Sequence, residues 1–197
     1  MKQESSYASP DLSDLLILRL TWLPYLDFAF CMKRIVEQAG YQNVTLSNRK
    51  HLRGRTEEGG FDMKAMQETG LGFVPVLIQV KRFTRPVSRR YVDELRGALL
   101  RKGVSFGVLV TTSTFSKAAR FAASEYPGRP IRLIDGTELG ELMFAGRIGV
   151  TETSDIATGT RIFTFDEEPF ELLMAYCTEI RRTHTRLAKQ SRKESHD

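Results

Sequence analysis

Short apolar runs alternate with helix-type segments over residues 88–145, and this alternation restricts the chain to few folds. Residues 106–111 form a continuous apolar run with the length of a buried strand, and residues 131–134 form a shorter one. Helices are predicted at 88–101, from Ser113 or Thr114 to about 124, and at 137–144. Because strands that alternate with helices pair in parallel, this half of the chain predicts a layered α/β domain.

The remaining elements are predicted on either side of this unit. Before it, the sequence favours helices at 12–22 and 27–39, a short strand at 43–46, and two paired strands at 61–66 and 74–83. After Gly149 comes a segment rich in Thr, Ser and Gly, then an additional strand at 161–165 and a last helix that runs into a basic tail. Residues 1–10 read as a flexible start, and residues 53–60 have loop composition.

A polar pair interrupts the apolar strand at residues 77–83. Successive residues of a strand point to opposite faces, so Gln79 and Lys81 share one face while Ile78 and Val80 point the other way. Asp62 enters the preceding strand. Burying an amide beside a lysine is unfavourable unless something polar lies there. A carboxylate, an amide and a lysine at one place suit a hard cation, a phosphate and a water.

Each of these residues also has a structural interpretation, and the residues alone leave it open. Asp62 can be an exposed residue beside the turn at Gly59 and Gly60. Lys81 can be a charge on an edge strand that discourages aggregation. Gln79 can be a buried amide bonded to the backbone.

Positive charge is concentrated in two parts of a chain whose formal net charge is +5. Residues 33–102 carry fifteen Lys or Arg against seven Asp or Glu, and residues 181–197 carry six against two. The first of these basic ranges contains the strand with Gln79 and Lys81. This distribution indicates a polyanionic partner.

Composition argues against several other classes of protein. Cys31 and Cys177 lack the spacing of a metal site, and the three histidines are scattered, which disfavours zinc and histidine-based triads. The apolar run at 15–23 is too short to span a membrane and contains Arg19. We therefore expect a cytoplasmic protein with reduced thiols and no membrane association.

The strings Gly59-Gly60-Phe61-Asp62 and Ile78-Gln79-Val80-Lys81-Arg82-Phe83 resemble the catalytic core of the Mrr-type restriction endonucleases. These enzymes belong to the PD-(D/E)XK nuclease superfamily, in the branch with glutamine in place of the second acid. The resemblance extends over roughly residues 26–148. Further segments follow in the family's order: 39–41, 92–99, 107–117 and 131–136.

The resemblance implies a restriction-endonuclease-like fold, with three α/β/α layers around a central mixed sheet. It also implies a role for each residue of the motif. Asp62 would bind Mg2+ directly, with Mn2+ as a substitute, and Gln79 would take the second ligand position with the Val80 carbonyl as a partner. Lys81 would orient or activate the attacking water and steady the phosphate.

The first core helix departs from the family pattern. The family usually carries a glutamate shortly after the phenylalanine of this helix, and here Ala29 follows Phe28. Asp27 lies on a different helical face and cannot simply substitute. Mg2+ needs few protein ligands because it retains waters, so the departure does not abolish the predicted site.

The sequence thus predicts a Mg2+-dependent DNA endonuclease that serves restriction or defence against foreign or modified DNA. A repair or recombination nuclease resembling junction resolvases is one alternative, and a catalytically weakened DNA-binding module is the other. The partner is double-stranded DNA, and cutting of both strands favours a homodimer. Predicted DNA contacts are Arg82, Arg85, Arg89, Arg90, Ser113 and Lys117.

Four parts are expected along the chain. They are an N-terminal helical extension (1–25), the nuclease core (26–148), a C-terminal extension with one helix (149–187) and a basic flexible tail (188–197).

Overall fold

The computed structural model describes residues 12–47, 59–155 and 158–194. The predicted flexible start at 1–10 and most of the predicted loop at 53–60 lie outside the described residues. Within them, no helix combines the length and the apolar character needed to cross a membrane.

Six helices and seven strands make up the described part of the chain. The helices are α1 (Leu12–Trp22), α2 (Tyr25–Gln38), α3 (Arg89–Lys102), α4 (Lys117–Ser124), α5 (Gly136–Ala145) and α6 (Glu168–Glu194). The strands are β1 (Tyr41–Leu46), β2 (Met63–Thr69), β3 (Gly72–Lys81), β4 (Phe106–Thr111), β5 (Ile131–Ile134), β6 (Val150–Ser154) and β7 (Arg161–Phe165).

Strands β1 to β5 form one mixed sheet in sequential order. The first three strands pair antiparallel, and Met63 of β2 lies opposite Ile78 of β3. From β3 onward the pairing is parallel, and Val80 lies opposite Val110 of β4. Strand β3 is therefore central, which excludes the interpretation of Lys81 as a charge on an edge strand.

The two faces of this sheet carry separate apolar clusters. Ile78 packs in the cluster that includes buried residues of α1, α2 and α5, whereas Leu77 packs against α3 and α4. Neighbouring residues of one strand thus point into different helical layers, as strand geometry requires. The predicted three-layer α/β/α fold with a central mixed sheet is confirmed.

Two local predictions were wrong. Helix α4 begins at Lys117, where the Ala119 N–H donates to the side chain of the capping residue Ser116 at 3.1 Å, and not at Ser113 or Thr114. The residues before it are held extended by a parallel bridge between Val87 and Phe115. The segment after Gly149 begins with a strand, β6, that pairs antiparallel with β7.

The C-terminal elements pack into the same core as the N-terminal helix. Phe170 of α6 is 1% exposed and belongs to the cluster that contains Leu16 of α1. The Arg19 guanidinium contacts the Glu167 carboxylate at 2.5 Å and lies over the Phe170 ring, 5.3 Å from its centroid. The boundaries of the four predicted parts stay predictions.

Candidate active site

The backbone of β3 holds Asp62 in place. The Asp62 N–H donates to the Ile78 carbonyl at 2.8 Å, and the Val80 N–H donates to Asp62 Oδ2 at 2.7 Å. Asp62 thus stands at the entrance of β2, beside the end of β3 that carries the polar pair. The Val80 N–H therefore orders the Asp62 carboxylate at the end of β3.

Gln79 is buried, with only 3% of its surface exposed. Its amide is assigned so that the nitrogen donates to the Tyr91 carbonyl at 3.2 Å and the oxygen accepts from Lys81 Nζ at 3.1 Å. The backbone bond fits the structural interpretation of this residue, and the bond to Lys81 links it to the predicted site. The amide oxygen therefore points toward the Lys81 ammonium group.

Lys81 is half-buried, and its ammonium lies over the Tyr91 ring, 4.8 Å from the centroid. This cation–π contact holds the charge without neutralising it. The Lys81 carbonyl accepts from Thr111 Oγ1 at 2.9 Å and from the Thr112 N–H at 3.3 Å, which fixes the end of β3 to the segment after β4. The end of β3 and the lysine side chain therefore have a defined position.

Asp62, Gln79 and Lys81 line one open cavity of about 480 Å3 between the sheet and α3. Asp62 and Lys81 also border a second cavity, of about 230 Å3, on the side of α2. The structure therefore brings the three predicted residues together at one place. The Val80 side chain faces the second cavity, and the role of its carbonyl as a metal ligand stays a prediction.

The donors predicted from the sequence, Asp62 and Gln79, are oxygen atoms from one carboxylate and one amide, with Lys81 beside them. Within the described ranges, no group of three His, Cys, Asp or Glu side chains gathers in a way that could hold a metal ion. An ion at Asp62 and Gln79 would therefore keep several waters, and this fits a hard cation such as Mg2+. A soft metal that prefers sulfur or imidazole does not fit these donors.

Three of the predicted DNA-contact arginines already have partners within the chain. Arg82 donates to the Leu23 carbonyl and lies over the Phe28 ring, so it ties the start of α2 to the end of β3. Arg89 pairs with Asp93 and Glu125, and Arg90 pairs with Glu94. These carboxylates raise the pKa of both helix arginines, mainly by accepting their hydrogen bonds.

The other predicted contacts lie around the same end of the sheet. Arg85 and Lys117 are exposed, and Lys117 is the first residue of α4. Ser113 is half-buried, and its N–H donates to Thr111 Oγ1 at 3.2 Å. Their role in DNA binding stays a prediction.

The sequence reasoning missed several residues that border this site. Tyr91 supports both Gln79 and Lys81, while Glu94 and Arg101 of α3 line the larger cavity. Tyr25 borders the smaller cavity, where burial and then the nearby Asp62 carboxylate raise the pKa of its phenol. Helical spacing places Tyr91 and Glu94 on one face of α3, but it does not show which element that face meets.

Comparisons with solved structures show the fold. The DNA modification-dependent restriction endonuclease AspBHI aligns with a TM-score of 0.55 and 18% identity, over 72% of this chain and 37% of that one. The MspJI restriction endonuclease, solved with a 27-mer oligonucleotide, aligns with a TM-score of 0.50 and 24% identity, over 69% of this chain and 32% of that one. Both are restriction endonucleases, which fits the architecture described above.

Sequence comparisons show the family. The type IV methyl-directed restriction enzyme EcoKMrr of Escherichia coli strain K12 is 35% identical over 98 residues, which is 50% of this chain and 31% of that relative. The chain thus spans about a third of the length of these relatives. A family model for the Mrr catalytic domain, described as a restriction endonuclease, matches residues 21–143. Because that match covers more than half of the chain, the protein belongs to the restriction endonuclease family of Mrr type.

Proposed function

We propose that this chain is a Mg2+-dependent DNA endonuclease that cuts foreign or modified DNA, with Asp62, Gln79 and Lys81 at its catalytic centre. One observation carries the proposal: a carboxylate, an amide and an ammonium group line the same open cavity. The residues have the types and the chain order of the family motif.

The bound ion would generate the nucleophile and neutralise charge on the phosphate. Asp62 would supply its anionic anchor, held in place by the Val80 N–H. Gln79 would add a neutral oxygen, which leaves the ion more electrophilic and less tightly held. To do so, the amide oxygen would have to be shared with Lys81, which now donates to it.

Lys81 would act on the phosphate or on the attacking water. Its ammonium is a compact charge on a flexible stem, and Tyr91 limits where that stem can point. A positive group aimed at the place where negative charge develops stabilises the transition state more than the ground state. Its removal is expected to lower the cleavage rate by about 10²-fold or more.

The substrate assignment comes from the relatives. EcoKMrr is named as methyl-directed and AspBHI as dependent on DNA modification, and we propose the same class of substrate here. Binding to double-stranded DNA is supported by the basic surplus of residues 33–102. Cutting both strands would require two copies of the cavity, so we propose a homodimer on DNA.

A plasmid-cleavage assay tests the proposal. Methylated and unmethylated supercoiled plasmids are incubated with the protein and Mg2+ or Mn2+, alongside Asp62→Ala and Lys81→Ala. Lys33→Ala is a matched control, because Lys33 lies on α2 and pairs with Glu37 away from the cavity. We expect cutting of methylated DNA by the wild type and Lys33→Ala only.

Equal cutting by the wild type and the two site variants would contradict the proposal. Preferential cutting of a four-way junction over either plasmid would instead support the repair or recombination alternative.

A second candidate function is a DNA-binding module with weakened catalysis. It is favoured by the smaller cavity, where Ala29, Phe28 and Met32 offer no ligand to an ion at Asp62. Under this hypothesis, the wild type and Lys81→Ala bind DNA tightly and cut equally little. A filter-binding measurement beside the cleavage assay distinguishes the two functions.

A further inference from the structure

The proposed metal site has a carboxylate-poor side and a carboxylate-bearing side. On the side of α2, the cavity beside Asp62 is bordered by Ala29, by apolar side chains and by the Tyr25 phenol, and among the described residues that line it there is no carboxylate besides Asp62. On the side of α3, the cavity that contains Asp62 and Gln79 is also lined by Asp93 and Glu94. A second acid for an ion at Asp62 can therefore come from α3 but not from position 29.

Two contacts hold α3 close to the site. The Gln79 amide donates to the Tyr91 carbonyl, and Gly60 lies so close to the Glu94 carbonyl that an added Cβ would be 2.7 Å from that oxygen. Tyr91 and Glu94 are three residues apart and share one face of the helix. Glu94 therefore belongs to the turn of α3 that packs against Gly60, two residues before Asp62.

Within this pair of acids, Glu94 is the better placed. Asp93 contacts Arg89 and Arg96, and it is rotated about 160° around the helix from Tyr91, compared with about 60° for Glu94. Glu94 is one methylene longer and contacts Arg90 at 2.8 Å. The Arg90 side chain is 77% exposed, so this ion pair is solvated and easily exchanged.

We propose that Glu94 is the second carboxylate ligand of the metal ion, supplied by α3 in place of the helix residue that is Ala29 here. In the free protein, Arg90 holds the Glu94 carboxylate. When a DNA phosphate takes Arg90, the carboxylate turns to the ion shared with Asp62. This assignment rests on the proposed function, because it presumes that Asp62 and Gln79 bind a divalent ion.

Mn2+ binding tests the assignment without reference to cleavage. Affinity is measured by titration calorimetry and by electron paramagnetic resonance, with and without an uncleavable phosphorothioate duplex. The proteins are the wild type, Glu94→Gln, the matched neighbour Asp93→Asn, and Asp62→Asn. We expect Glu94→Gln to weaken Mn2+ binding by about tenfold or more, with the larger loss when the duplex is present, and Asp93→Asn to bind as the wild type.

A rescue variant adds a second readout. Ala29→Glu in the Glu94→Gln background places a carboxylate on the opposite side of Asp62, and it should restore part of the lost affinity. If Asp62→Asn weakens binding but Glu94→Gln does not, the Glu94 assignment is wrong and the metal site stands. If Asp62→Asn has no effect, or the wild type does not bind Mn2+ at all, the proposed metal site fails together with this assignment.

Discussion

Replacing Gly60 by alanine should destabilise the protein through two separable effects. Gly60 has φ +99°, a left-handed conformation that an L side chain adopts at a cost of about 1–2 kcal/mol. An added Cβ would also lie 2.7 Å from the Glu94 carbonyl oxygen and 3.1 Å from the Ala98 Cβ, and overpacking of this kind costs about 1–3 kcal/mol. Reduced entropy of the unfolded chain offsets about 0.4–1 kcal/mol. We expect a net loss of about 2–4 kcal/mol in the free energy of unfolding.

Two other glycines separate the contributions. Gly40 has φ +92° with nothing within 4 Å of an added Cβ, so Gly40→Ala reports backbone strain alone, about 1 kcal/mol. Gly59 has neither a left-handed φ nor a close neighbour, so Gly59→Ala should be neutral or slightly stabilising. Urea unfolding followed by circular dichroism measures all three variants.

The same substitution should disturb the site, because Gly60 lies two residues before Asp62. Moving this segment away from α3 would lengthen the bond between the Val80 N–H and Asp62 Oδ2. Mn2+ affinity should therefore fall in Gly60→Ala and not in Gly59→Ala. If Gly60→Ala proves as stable as Gly40→Ala and binds Mn2+ normally, the close packing of this segment on α3 is refuted.

Three further predictions address the core, pH dependence and the tail. Phe170→Ala should lower the free energy of unfolding by about 3–5 kcal/mol, because this ring is 1% exposed, whereas Leu172→Ala, 63% exposed, should change it little in the same urea assay. Burial raises the pKa of the Cys31 thiol from 9.0 to about 12, so the stability that the neutral thiol contributes is complete below pH 9 and is lost as the pH rises toward 12. Between those pH values, the free energy of unfolding of the wild type should fall by up to about 1.4 kcal/mol per pH unit more than that of Cys31→Ala. If the two proteins lose stability in parallel as the pH rises, the prediction is wrong. Deletion of the residues after Arg181 should weaken DNA binding and lower the salt dependence of the affinity by about one unit of slope per lost phosphate contact; an unchanged slope would show that the tail does not touch DNA.

Local patterns predicted most of the fold, because burial on a strand or helix leaves a short-range signature. The run at 106–111 was predicted as a strand and is β4, since a strand covered on both faces must be apolar throughout. The strand β6 was missed because Thr and Ser are common in both loops and strands, and its stability depends on pairing with β7. The start of α4 was misplaced for a similar reason: the bridge from Val87 to Phe115 keeps the preceding residues extended.

For the candidate site, too, local patterns predicted one part and long-range packing decided the other. The sequence alone determined that Gln79 and Lys81 share a face of β3, because the strand period is two and needs no partner. The sequence also contains the family motif, in which Asp62 precedes Gln79 and Lys81. Only the tertiary structure decided that α3 borders the site with Tyr91 and Glu94, because that contact joins segments about thirty residues apart through the close approach of Gly60. Helical spacing defines a face, but long-range packing selects what the face meets.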